Sequence, residues 1–140
     1  MRVLLDTCVI SEIVRTQGAE RVKKRVAAFR PLDVFVSAIT IGEMARGVAL
    51  LPSGKRKDGY TSALLQLEQD YDTRILPIDT DAARIWGELD AAGKKSGRNV
   101  SVTDGLIAAT AIRHGLHVVT RNVKDFKGSG ALIINPWEDA

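Results

Sequence analysis

Asp6, Glu43 and Asp104 are three carboxylates far apart in sequence, each near the start of a helical pattern. Asp6 ends the apolar run Val3-Leu4-Leu5, after which Val9, Ile10, Ile13 and Val14 recur at helical spacing. Glu43 lies in the first turns of the helix expected after the strand-like Asp33-Val-Phe-Val-Ser37, and Asp104 opens a long apolar helix. Asn122 and Asp125 follow the strand-like run that ends at Thr120. In an open parallel α/β sheet, ligands bind beyond the carboxyl ends of the strands, so these positions are expected at one edge. Carboxylates gathered there repel and raise one another's pKa unless a cation sits among them. Hard oxygen donors suit Mg²⁺ or Mn²⁺, which can activate a water and offset charge on a phosphodiester.

Helix capping explains each acid singly. Asp at a strand-to-helix junction is a good N-cap. Thr40-Ile-Gly-Glu43 has capping-box spacing, and Ser101-Val-Thr-Asp104 fits its looser form. Capping does not explain why no Lys or Arg within these motifs neutralises the set. Other chemistries fit less well. Neither His114 nor His117 stands with Cys8 at zinc-ligand spacing, and Cys8 has no placed His partner to make it a nucleophile. Asp6-Thr7-Cys8 lacks the second Asp of an Asp-nucleophile phosphatase, and no Gly-rich phosphate loop follows the first strand.

The elements that must position these residues alternate between strand and helix. A second helix is expected over Ala19 to Phe29, ended by Arg30-Pro31. Helical spacing resumes from Ala38 to the Pro52-Ser53-Gly54 break and again over Tyr60 to Tyr71. Arg74 to Ile78 reads as a short strand with Pro77 at its end, and Asp79-Thr80-Asp81 signals a helix running to about Ala92. The helix opened by Ser101 has few polar positions and ends at Arg113-His114-Gly115. Leu116 to Thr120 reads as a strand, Arg121 to Lys127 as a polar turn, and Ala131 to Ile134 as a last strand. This order predicts one domain over residues 1–140, an α/β three-layer sandwich around a mainly parallel sheet.

Composition sets the outer bounds. At 45% hydrophobic and 26% charged residues the chain is an ordinary globule, with no signal peptide and no membrane-spanning run. One cysteine excludes an internal disulfide framework and fits a reducing cytoplasm. A net charge of +3 permits a polyanionic partner, while 5% aromatic content argues against a base-stacking platform. Lys23-Lys24-Arg25, Lys55-Arg56-Lys57, Lys94-Lys95 with Arg98, and Arg121 with Lys124 and Lys127 form local basic clusters.

Five stretches taken together resemble the PIN-domain ribonucleases, specifically the VapC-type toxins of toxin–antitoxin pairs in their FitB-like branch. They are Leu4 to Glu12, Val36 to Glu43, Asp104 to Ala111, Val119 to Phe126 and Asn135-Pro-Trp137, in family order from end to end. The resemblance implies a Mg²⁺- or Mn²⁺-dependent endoribonuclease. In that reading Asp6 and Asp104 are direct metal ligands, and Glu43 completes the site or orients the attacking water. The family's fourth acid has no single equivalent here, since Asn122 stands at the nearest position and Asp125 three residues on; Cys8 stands where many relatives have Asn. Thr7 and Thr120 are expected to support the acids from behind. The resemblance further implies a homodimer and a cognate VapB-type antitoxin, joined as a hetero-oligomer, whose tail covers the groove with a basic side chain. From their positions along the motifs, Arg46, Arg113, Arg121 and Lys124 are expected to line the RNA approach. The competing readings are a non-catalytic module binding a basic peptide and a structure-specific DNA nuclease.

Overall fold

The computed structural model describes residues 1–138; Asp139 and Ala140, the end of the expected 1–140 domain, lie outside the described residues. Five parallel strands form the sheet: β1 (Val3–Leu5), β2 (Val34–Ser37), β3 (Ile75–Leu76), β4 (His117–Val119) and β5 (Ile133–Ile134). Their spatial order is β3-β2-β1-β4-β5. β1 is thus central, and Val3, Leu4 and Leu5 are all fully buried, as expected of a strand covered on both faces. Side chains alternate across it. Val3 and Leu5 join Val9, Ile10, Val22, Val36 and Val119 in one core, while Leu4 joins Ile107, Ala108, Ala111, Val118 and Phe126 in another. Two cores, one on each face, make the expected three-layer sandwich.

Helices supply the outer layers. α1 (Thr7–Val14), α2 (Glu20–Ala27), α3 (Ala38–Leu50) and α4 (Lys55–Asp70) lead the chain through β2 to β3 on one side of β1. α5 (Thr80–Lys95) and α6 (Val102–His114) then carry it back to β4 on the other side, and α7 (Val123–Phe126) leads to β5. The winding therefore reverses between β1 and β4. That reversal opens a crevice at the carboxyl ends of these two strands. No helix among the described residues is long and apolar enough to cross a membrane.

Several element boundaries differ from those expected. α4 begins at Lys55 rather than Tyr60, because its first turn is a solvated basic face with no apolar period to read. α5 runs to Lys95, past the expected end near Ala92. The expected polar turn after Thr120 contains α7, whose Phe126 is fully buried. Arg74 belongs to a 3-10 turn, leaving a strand of only Ile75–Leu76. Between α1 and α2 the chain turns so tightly that a Cβ on Gly18 would run into the Glu12 carbonyl oxygen. Gly18→Ala is expected to cost about 1–3 kcal/mol of stability in a denaturant titration, since backbone rather than a flexible side chain must move.

Candidate active site

The crevice is floored by Asp6. Its residue is 3% exposed, and its backbone N–H donates to the Val119 carbonyl at 2.9 Å, tying the end of β1 to β4. Asp6 does cap α1, with Oδ1 accepting the Thr7 N–H at 2.8 Å. Capping leaves the second oxygen for other work. Oδ2 accepts the Thr120 hydroxyl at 2.7 Å and lies 3.4 Å from Cys8 Sγ. Thr120 is fully buried, and its Oγ1 in turn accepts the Asn122 N–H at 2.9 Å. One hydroxyl thus fixes the carboxylate and sets the path of the chain leaving β4. Thr120→Val keeps the shape but strips Asp6 of a donor and orphans the Asn122 N–H. A loss of about 1–3 kcal/mol in thermal or chemical unfolding is expected.

Glu43 is brought to the same edge from the other direction. The N-cap of α3 is Ser37, whose Oγ accepts the Ile39 N–H at 3.1 Å. Thr40 is therefore inside the helix, not at its cap, and the capping-box reading of Thr40 to Glu43 is corrected. Glu43 instead reaches across to α1, where its Oε1 accepts the Thr7 hydroxyl at 2.6 Å. Such short bonds to a carboxylate are charge-assisted. Thr40, fully buried, places its Oγ1 3.2 Å from that of Thr7. Sequence reasoning assigned Thr40 only to capping; its role behind Thr7 emerges once β1 and β2 lie side by side.

Asp104 arrives in the first turn of α6, whose N-cap Ser101 accepts the Asp104 N–H at 3.2 Å. The expected cap is real here, and the carboxylate is nonetheless perturbed. Burial, then the charge of Asp6, with further pushes from Asp125 and Glu43, raise its pKa from the ordinary 3.8 to about 6, against a lowering hydrogen bond from Ser101. Four acids, one at the N-cap of α1 and the others on α3, α6 and α7, therefore share one electrostatic site. Among the described residues, no Lys or Arg forms an ion pair with any of the four. Nor do three donors already stand together as a formed metal cluster there. Repulsion favours splayed carboxylates. The donor set is all oxygen and uncompensated, and Asp6 Oδ1 has a lone pair left beyond its one bond. These residues fit a hard divalent cation.

Cys8 has the opposite chemistry to a nucleophile. Burial and the charge of Asp6 push its thiol up to about 11, outweighing hydrogen bonds from the Arg121 backbone and from Thr120.

The expected cations divide. Arg46 is exposed on α3, one turn beyond Glu43. Arg121 is exposed with its guanidinium 5.0 Å from the Trp137 ring, so the Asn135-Pro-Trp137 segment steadies it beside Thr120. Lys124 lies on α7, lining a cleft with Asp125. Arg113 does not belong with them. It is in the last turn of α6, at the end opposite Asp104, and pairs with Asp79 at 3.6 Å and Asp81 at 3.5 Å. Its expected place on the approach is corrected: nine residues of helix carry it about 13 Å away from Asp104 along the axis.

Comparison with known proteins identifies relatives of the whole chain. The chain is 39% identical over 139 residues to the VapC ribonuclease Y4jK of Sinorhizobium fredii, covering 99% of each. It is 41% identical over 138 residues to toxin FitB of Neisseria gonorrhoeae, covering 98% of this chain and 99% of that one. The crystal structure of FitAcB from Neisseria gonorrhoeae superposes with a TM-score of 0.91 at 40% identity, covering 97% of this chain and 99% of that one. Residues 3–128 match the PIN domain, and the chain belongs to the PIN-domain family.

Proposed function

We propose that this chain, as one domain over residues 1–140, is the toxin of a type II toxin–antitoxin pair. It acts in the cytoplasm as a divalent-metal-dependent endoribonuclease that hydrolyses RNA phosphodiester bonds. The observation that carries the reading is the uncompensated acid set at the β1/β4 crevice, with Asp104 driven to about 6 by burial and by its acidic neighbours. The names of the end-to-end relatives, a ribonuclease and a toxin, support it.

Asp6 and Asp104 would hold Mg²⁺ or Mn²⁺, with Glu43 bound directly or through water. When bound, the cation supplies an acidified water and offsets charge on the scissile phosphate. The protein's own groups do the rest. Thr7 donates to Glu43, which would complete the site or orient the attacking water. Thr120 and the Thr7 N–H hold Asp6 still. Asp125 adds negative charge beside Asp104, and Asn122 flanks it at the head of α7. Arg46, Arg121 and Lys124 offset the repulsion between an incoming polyanion and the acids. A basic side chain from a VapB-type antitoxin would compete for the same acids, within a hetero-oligomer built on a toxin homodimer.

Induced expression in a heterologous bacterium, followed by sequencing of RNA ends, tests the proposal. Growth arrest with new, discrete RNA ends is expected, and neither should occur with Asp104→Asn. Equal arrest and equal RNA ends in wild type and variant would overturn it. So would cleavage confined to DNA when both nucleic acids are offered to the purified protein.

A further inference from the structure

Beside the acid crevice lies a cleft whose Arg98 has no part in the acid site. This cleft of about 180 Å³ runs between α5, the α5–α6 loop, α6 and α7, and it shares Ser101, Gly105 and Asp125 with the surroundings of Asp104. Its walls include Trp86, Arg98 and Lys124. The Arg98 wall is built by the backbone. α5 ends at Lys95 with Ser96 as its C-cap, and Gly97 adopts a left-handed φ of +76°. The Gly97 N–H then donates to the Lys94 carbonyl at 3.1 Å and the Arg98 N–H to the Gly93 carbonyl at 2.8 Å. That double return is the Schellman closure of a helix, and it fixes the direction in which the next side chain leaves. Arg98 folds back over Gly93 and lies against Gly128, where a Cβ would run into its guanidinium. Gly105 similarly leaves room for the Trp86 indole, whose Cδ1 would lie 2.8 Å from a Cβ there.

Charge follows the same design. Among the described residues neither Arg98 nor Lys124 has an ion-pair partner, whereas neighbouring Lys94 is paired with Asp90 at 3.1 Å. A guanidinium laid against Gly128, unpaired, on the rim of a cleft next to an acid centre is suited to a phosphate oxygen pair. On the reading of this chain as a ribonuclease, we propose that Arg98 binds the RNA backbone at a phosphate adjacent to the scissile one, with Lys124 lining the same cleft. Arg98 is a positioning residue. It sets where the strand lies and takes no part in bond cleavage.

The test uses the purified full chain and a fluorescein-labelled single-stranded RNA 20-mer of random sequence. Arg98→Ala is expected to raise KM about tenfold with kcat within about twofold, the mark of binding lost equally in ground and transition states. Arg98→Lys is expected to fall between. In an Asp104→Asn background, anisotropy should show the slope of log Kd against log salt shrinking by about 0.7 when Arg98 is removed, one phosphate contact on a single strand. Gly128→Ala leaves the charge but displaces the guanidinium, so it should raise KM comparably and add nothing to Arg98→Ala. Unchanged KM and salt slope in Arg98→Ala, or a loss confined to kcat, would overturn the inference. If Asp104→Asn still cleaves, the ribonuclease site itself is misassigned; if it is inactive while Arg98→Ala behaves as wild type, only the role of Arg98 fails.

Discussion

Asp104→Asn is expected to reduce RNA cleavage by at least about 10²-fold, the scale on which single preorganised charges act in such sites. The substitution is nearly isosteric and leaves the Ser101 cap intact, because that cap accepts from the Asp104 backbone N–H rather than using its side chain. The fold should therefore persist. It should even gain in metal-free buffer at neutral pH, where the wild-type carboxylate is held charged against burial and against Asp6, Asp125 and Glu43. An inactive variant that is more stable than its parent separates a functional acid from a structural one. Loss of activity together with loss of stability would instead mark the Asp104 carboxylate as a structural group.

The second large effect is on pH dependence. The Asp104 pKa in the folded chain, about 6, lies above its ordinary 3.8, so between these values the folded protein holds a proton that the unfolded chain has released. The stability this adds is fully present below about 3.8 and is lost as pH rises through about 6. A divalent cation reverses the preference, because only the ionised carboxylate binds it. Cleavage should accordingly fall about tenfold per unit as pH drops below the apparent pKa, and raising Mn²⁺ should move that acid limb to lower pH. Profiles measured at two Mn²⁺ concentrations decide the matter. An acid limb that stays in place would mean that proton and metal do not compete at this site.

Much of this arrangement was legible in the residues. Val3-Leu4-Leu5 reads as a doubly buried strand because parallel strands leave no polar face, and Gly115, at φ +66°, ends α6 as its sequence implies. The convergence of Asp6, Glu43 and Asp104 follows from each lying near the start of the helix after a strand, or leading into one. Three things were hidden. Local pattern cannot tell which hydroxyl caps a helix, so Thr40 took the place of Ser37. Helix direction decides which end of α6 faces the crevice, and Arg113, close to Asp104 in sequence, lies at the wrong one. Arg98 looked like one more surface cation, since its placement depends on Gly93, Gly97 and Gly128 meeting in three dimensions.

The most direct measurement is cleavage of a labelled RNA by protein freed of metal with EDTA, followed as Mn²⁺ is returned. Activity should fall by at least about 10²-fold in chelator and recover with added Mn²⁺ in the wild type, but not in Asp6→Asn or Asp104→Asn. Undiminished cleavage in excess EDTA would contradict the account at its root.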